Sequence, residues 1–85
     1  MPRPRYMIPD CTVEYDIDYD RNDIKNRPGV ETSKACADLC ASTDGGLFWS
    51  WNSADGWCWV KHSDTGRKHR SGYVSGKKQC GTSSN

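Results

Sequence analysis

Short alternations of apolar and polar residues predict the strands of this chain. Residues 12–19 place an apolar side chain at every second position, which predicts a half-buried strand. Its acidic positions, Glu14, Asp16 and Asp18, are expected to face solvent. Residues 47–52 and 57–61 predict a hairpin that turns at residues 53–56. Residues 63–75 predict a polar loop rich in Gly and basic side chains, and a closing strand is predicted over Tyr73–Cys80.

One helix is predicted, with Ser33 as its N-cap and its end near Ala41. On this helix Cys36, Leu39 and Cys40 fall at positions i, i+3 and i+4, so they share one face. A turn at residues 26–29 precedes the helix.

The hairpin sorts its side chains onto two faces, because successive residues of a strand point to opposite sides. One face holds Trp49, Trp51, Cys58 and Val60. If Cys58 is bridged to the helix, that face is the core. The side chains of the other face are then either covered by a second layer of core or exposed as a platform for a ligand. This face holds Phe48, Ser50, Trp57, Trp59 and Lys61.

Composition indicates a single small domain that depends on covalent staples. The 85 residues are 34% hydrophobic and include only ten Leu, Ile, Val and Phe, but five Cys and four Trp. So short a domain buries too little apolar surface without disulfides. The longest apolar run covers residues 57–60, well below the roughly 20 residues of a membrane span. We therefore expect an extracellular module with no transmembrane helix and no signal peptide.

Charge is balanced overall but divided along the chain. The formal net charge is +1, yet residues 10–44 carry nine acids and four bases, and residues 61–80 carry six bases and one acid. The basic cluster could bind sulfated glycans or acidic protein surfaces, or it could be a solvated face. The near-neutral balance disfavours nucleic acid as a partner. The cluster comprises Arg67, Lys68, Arg70, Lys77 and Lys78.

The five cysteines favour disulfides over a metal. His62 and His69 are separated by six residues, outside the spacing that a zinc finger uses with a pair such as Cys36 and Cys40. We expect no metal and no cofactor. An odd number of cysteines leaves one thiol free or paired outside the chain, and the spacing alone does not choose the bridges.

Five elements occur in an order that resembles a PAN/apple module. They are a Cys near the start, a helical Cys-x3-Cys, an aromatic strand, the strand Cys58–Lys61, and the closing series Val74–Cys80. Together they cover residues 11–80 and are most similar to the tandem apple domains of coccidian microneme adhesins. The resemblance implies an α+β fold with one central helix packed on a mainly antiparallel sheet. It places the module at residues 10–81, between a flexible tail at 1–9 and a short tail at 82–85.

The disulfide pairing of that family implies the bridges Cys11–Cys80 and Cys36–Cys58. The family's fourth cysteine corresponds to Gly46 here, so the third, Cys40, lacks its partner. The resemblance thus leaves Cys40 as a free, buried and unreactive thiol. The rival interpretation is an intermolecular disulfide, which needs an exposed thiol of lowered pKa.

The resemblance implies a secreted, non-catalytic recognition or adhesion module, stored in the microneme before release. Its partners would be other microneme proteins or a protein or glycan of the host-cell surface, and the isolated module would be a monomer. The alternative is a spacer repeat with no ligand of its own. An enzyme is disfavoured, because His62, Ser63 and Asp64 are adjacent in sequence and a triad must converge in space. The candidate ligand-binding residues are Trp57, Trp59, Lys61, Arg67, Lys68, Arg70, Lys77 and Lys78.

Overall fold

The computed structural model describes residues 13–78, which form one helix on a five-stranded antiparallel sheet. The strands are β1 (Glu14–Tyr19), β2 (Asp23–Arg27), β3 (Phe48–Asn52), β4 (Cys58–Lys61) and β5 (Arg67–Lys77), and the helix α1 spans Ser33–Ser42. Their order across the sheet is β1-β5-β3-β4-β2, and every neighbouring pair is antiparallel. The predicted α+β class is confirmed. The two predicted tails and the bridge Cys11–Cys80 lie outside the described residues.

Helix α1 covers one face of the sheet, which we call the helix face. The Thr32 hydroxyl caps the helix by accepting a 3.0 Å hydrogen bond from the backbone N–H of Ala35, one residue before the predicted N-cap. Both helical cysteines are fully buried, and Cys36 forms the predicted disulfide with Cys58 of β4. The helix and sheet thus enclose a core with few aliphatic side chains. The core residues are Val30, Cys36, Ala37, Cys40, Trp49, Cys58, Val60 and Val74.

Trp49 is the largest side chain of this core, and glycine makes room for it. Gly76 lies opposite Trp49 on β5, and a Cβ atom added there would sit 2.9 Å from the indole ring. The indole N–H donates to the backbone oxygen of Lys77 at 3.0 Å. Trp51, farther along β3, donates its N–H to the oxygen of Val30 at 2.8 Å. The buried indole of Trp49 and the partly buried indole of Trp51 therefore each keep a hydrogen-bond partner.

The predicted hairpin faces are confirmed by the strand register. Trp49 pairs with Val60 and Trp51 with Cys58, so all four side chains lie on one face of the hairpin. This is the helix face, because Trp49, Cys58 and Val60 are at most 1% exposed. The opposite face, here called the far face, holds the other set, beginning with Ser50 and Trp59.

Strand β1 departs from the predicted alternation. Asp16 has a left-handed φ of 60°, and the register with β5 shifts between Tyr15 and Ile17. The irregularity interrupts the alternation: Tyr15 before it is 73% exposed, whereas Asp18 and Tyr19 after it are both buried, at 4% and 3% exposed. The expectation that Glu14, Asp16 and Asp18 form a solvent face is therefore wrong for Asp18.

Two strand assignments differ from the sequence prediction. The polar loop predicted to continue to residue 75 ends early, because β5 begins at Arg67 and pairs with β1 over residues 67–69. Strand β2 was not predicted, since its five residues are all exposed and show no apolar alternation. Both segments gain their strand conformation from backbone pairing rather than from burial of side chains.

A chain of serine hydroxyls holds β1 across the far face. Ser75 Oγ donates to the backbone oxygen of Ile17 at 2.6 Å, and Ser50 Oγ lies 2.7 Å from Ser75 Oγ. The backbone N–H of Tyr19 in turn donates to Ser50 Oγ at 3.1 Å. Because Ser75 uses its proton on Ile17, Ser50 must donate to Ser75. Two fully buried hydroxyls thus link the backbone of β1 to β3 and β5.

The first prediction concerns the disulfide. The double variant Cys36→Ala/Cys58→Ala should lose about 3 kcal/mol of unfolding free energy in urea, because the bridge closes a loop with a sequence separation of 22. Cys40→Ala removes a sulfur from the same helix face without touching the bridge, and it should cost about 1 kcal/mol. Equal losses for the two variants would contradict a dominant role for the bridge.

The second prediction concerns the serine chain. Ser75→Ala leaves Ser50 and the Ile17 carbonyl without their partner, and we expect a loss of about 1–3 kcal/mol in the same assay. The exposed Ser71→Ala is the matched control and should change stability by less than about 0.5 kcal/mol. A Ser75 variant as stable as the Ser71 variant would show that the hydroxyl chain contributes nothing.

Candidate functional site

A row of aromatic rings crosses the far face of the sheet. Trp57 and Trp59 stack with ring centroids 5.9 Å apart and planes inclined by 23°. Trp59 then stacks on Tyr73 at 5.7 Å and 18°. The guanidinium of Arg70 lies 5.2 Å from the centre of the Tyr73 ring, within cation–π range. We call these four side chains the aromatic row.

The strand register explains why these rings meet. Trp59 on β4 lies opposite Ser50, and Tyr73 on β5 lies opposite Asn52. Ser50 and Asn52 belong to β3, the strand between the two rings, and both carry short side chains. The rings can therefore lean over β3 and touch, as diagonal neighbours in a sheet do when they are aromatic.

The row is half-buried rather than fully covered or fully open. Tyr73 is 9% exposed, while Trp57 and Trp59 are of intermediate exposure. Trp59 has another ring on each side, and Tyr73 has a ring on one side and Arg70 on its face. Trp57 is therefore the ring at the end of the row, where it has only one stacked neighbour within the row.

The basic side chains of β5 face the acidic side chains that precede β2. Arg67 Nε donates to Glu14 at 2.8 Å, Lys68 Nζ lies 3.6 Å from Asp20, and Arg70 Nε lies 3.7 Å from Asp18. Each of these three cations therefore has a carboxylate within ion-pair distance. The charge imbalance along the sequence is thus partly cancelled where β1 meets β5. A sulfated glycan would have to compete with these carboxylates.

Glu14 is the best-connected acid of this group. It accepts hydrogen bonds from Arg67 and, at 2.7 Å, from the Tyr19 hydroxyl. The bond from Arg67 lowers the pKa of Glu14, against a smaller opposing effect of burial. Burial and the same carboxylate raise the pKa of Tyr19. The trio keeps Glu14 charged and Tyr19 neutral at the edge of the sheet.

Asp18 is the other acid that the structure places unexpectedly. Its side chain is only 6% exposed, and Oδ1 has no hydrogen-bond partner among the described residues. Its other oxygen faces Arg70, which connects Asp18 to the end of the aromatic row.

Lys61 does not belong to an open surface. It is 3% exposed, and its ammonium group lies 2.6 Å from a carboxylate oxygen of Asp23 and donates to the backbone oxygen of Arg21 at 3.1 Å. Its charge is therefore taken up by internal contacts. We leave Lys61 out of the candidate ligand-binding residues for that reason.

Cys40 is a buried thiol whose sulfur bonds to backbone. Its Sγ donates to the oxygen of Phe48 at 3.3 Å, and desolvation raises its pKa to about 11, against a small opposing effect of Lys78. Gly46 packs so tightly that an added Cβ would lie 2.7 Å from the Cys40 carbonyl oxygen. A side chain at position 46 would therefore clash with the backbone of the helix unless the backbone shifted.

The remaining basic candidates lie at the end of β5. Lys77 is the last residue of the strand, and the exposed Lys78 donates its backbone N–H to Leu47 at 2.8 Å. Neither is part of the aromatic row. The eight candidate ligand-binding residues therefore lie in four places: the aromatic row, the ion pairs between β5 and the acids before β2, the buried position of Lys61, and the end of β5.

The described residues also form an open polar depression of about 250 Å³. It is lined by Asp20, Arg21, Asn22, Thr65 and Gly66. Within residues 13–78, no three His, Cys, Asp or Glu side chains converge as metal ligands do. No helix in the same range is long and apolar enough to cross a membrane.

Tyr73 and Asp18 were missed as site residues. Tyr73, Ser75 and Lys77 alternate along the closing strand, and this parity could have placed Tyr73 on the far face. Asp18 carried no such pattern, because the irregularity at Asp16 interrupts the alternation and Asp18 is buried together with its neighbour Tyr19.

Comparison with known proteins does not assign a family. No protein-family model and no curated protein sequence matches this chain.

The third prediction is a pH effect at Glu14. Because its native pKa is below the ordinary value of 4.5, its contribution to stability is present above pH 4.5 and is lost as pH falls through the native pKa. A carboxyl-detected NMR titration should give a Glu14 midpoint below 4.5. Arg67→Met should raise that midpoint, whereas Arg21→Met should leave it unchanged. An unchanged midpoint in the Arg67 variant would show that Arg67 does not cause the shift.

Proposed function

We propose that this chain is a non-catalytic extracellular recognition module of the PAN/apple type. It acts in adhesion, as one repeat of a secreted microneme protein that takes part in host-cell attachment and invasion. The observation that carries the proposal is the aromatic row, because it brings Trp, Tyr and Arg together on one half-open face. These are the side chains that dominate binding energy at protein interfaces.

The disulfide-stapled sheet supports this proposal in a second way. Trp59 stands on β4, Arg70 and Tyr73 stand on β5, and Trp57 directly precedes β4. The helix is bridged to the same sheet on its other side. A rigid platform loses little conformational entropy on binding. The bridge also fits an oxidising, extracellular location.

The ion pairs of β5 favour a protein over a sulfated glycan as the partner. Arg67, Lys68 and Arg70 each have a carboxylate nearby, so a polysulfate would gain little net attraction there. A protein surface can instead bury the outer side of Trp57 and leave the ion pairs intact. Other microneme proteins and host-cell surface proteins are the proposed partners, and a single weak module gains avidity when it is part of an array.

The fourth prediction tests this function on cells. The oxidised domain should bind to cultured epithelial cells, and Trp57→Ala should weaken that binding at least tenfold, which corresponds to ~1.4 kcal/mol. Tyr15→Ala is the matched control, since it removes an aromatic ring that lies outside the row and is more exposed than Trp57, at 73%. Circular dichroism and urea unfolding would establish that both variants are folded.

Treatment of the cells separates the partner classes. Prior digestion of the cells with a protease should abolish binding if the partner is a protein. Loss after heparinase treatment or in moderate salt would instead identify a sulfated glycan. Equal binding of the Trp57 and Tyr15 variants would contradict a role for the row. Absence of binding by every form, to cells and to sister modules, would identify a spacer repeat.

A further inference from the structure

Strand β2 is an open edge of the sheet. Among residues 13–78 it has one strand neighbour, β4, and all five of its residues, Asp23–Arg27, are exposed. Antiparallel pairing on one side leaves backbone N–H and C=O groups on the other side without a strand partner. Such an edge can accept an extended segment of another protein as an added strand.

The edge carries positive charge that no acidic side chain in the described part of the chain neutralises. Asp23 is engaged by Lys61 at 2.6 Å. Lys25 and Arg27, in contrast, have no ion pair or side-chain hydrogen bond among residues 13–78. This distinguishes them from Arg67, Lys68 and Arg70, whose carboxylates are close at hand.

Both cations point to the same side of the sheet. Lys25 pairs with Val60 and Arg27 with Cys58, and those two partners face the helix. Helix α1 packs on β3, β4 and β5. Lys25 and Arg27 therefore extend along the flank of the helix, where carboxylates of an added strand could reach both.

An exposed apolar side chain lies at one end of the same edge. Ile24 is 41% exposed. Its Cδ1 lies 3.8 Å from the position that a Cβ atom at Gly45 would occupy. An apolar residue of an added strand would find a contact here.

We propose that the β2 edge binds an extended acidic segment of a partner protein as an additional strand. Carboxylates of that segment pair with Lys25 and Arg27, and an apolar side chain packs on Ile24. The charge selects against a second copy of the same edge, because two copies would bring their cations together. The inference rests on the proposed recognition of a protein and adds the surface and the chemistry of the partner.

The geometry limits such a strand to a short one. The register between β2 and β4 shifts between Asp23 and Lys25, and Pro28 follows the strand directly. Bulges and prolines restrict pairing at sheet edges. The interaction is therefore weak and strongly dependent on charge, which sets the conditions of the test.

The fifth prediction uses an acidic strand of known sequence as the probe. A capped peptide with the sequence of residues 13–19, Val-Glu-Tyr-Asp-Ile-Asp-Tyr, should shift the backbone amide NMR signals of residues 23–27 in the ¹⁵N-labelled domain. Raising the salt concentration should weaken the effect. The same peptide with its three acids replaced by Lys should cause no shifts in β2.

Charge-reversal variants complete the experiment. Lys25→Glu/Arg27→Glu should weaken peptide binding at least tenfold. Lys34→Glu/Lys68→Glu changes the net charge equally at other exposed sites and should retain binding. Dispersed amide spectra would show that both variants fold.

Three outcomes would overturn the proposal. They are an absence of shifts in β2 at millimolar peptide, shifts confined to β5 through displacement of β1, and equal binding by both double variants. Self-association of the free domain through β2 would replace the acidic partner with a second copy. If Trp57-dependent cell binding persists while β2 shows no response, the recognition function stands and only this surface is wrong.

Discussion

The Cys36–Cys58 disulfide is the interaction on which the rest of the structure depends. A chain with ten Leu, Ile, Val and Phe residues cannot hold a helix on a sheet by aliphatic packing alone. The bridge fixes α1 over β4, and two more core positions follow from that placement. Cys40, one turn along the helix, lies against β3, and Trp49 fills the space that Gly76 leaves open. Covalent geometry thus replaces part of the missing hydrophobic area.

The two faces of the sheet are sealed by different chemistry. Sulfur atoms, small side chains and two indoles close the helix face. The far face is held by hydroxyls and rings: Ser50 and Ser75 join β1 to the sheet, and the aromatic row lies beside them. Hydroxyl hydrogen bonds fix the position of a strand without large side chains. The aromatic rings beside them therefore stay partly exposed. The proposed recognition surface is therefore a consequence of how sparingly the far face is packed.

Charge distribution follows the strand pairing. The acidic first half and the basic last part of the chain meet between β1 and β5, so most of the basic cluster is compensated within the domain. Lys25 and Arg27 stand apart because, within residues 13–78, β2 pairs only with β4, whose residues at that point are apolar. An edge strand with uncompensated charge resists self-pairing and remains open to a complementary segment. Position in the sheet, rather than the number of charges, decides which cations are available.

The sequence by itself determined the helix with its shared cysteine face, the hairpin and the two sets of residues that its strands separate. These follow from local periodicity, since side chains three or four apart share a helix face and alternate residues share a strand face. It could not determine β2, the first half of β5 or the burial of Asp18. Those depend on which backbones pair, and on one left-handed residue, Asp16, that interrupts the alternation. Only the tertiary structure brought Tyr73 to Trp59 and the acids of β1 to the cations of β5. Contacts between strands that are distant in sequence leave no local pattern, because they depend on register and sheet order.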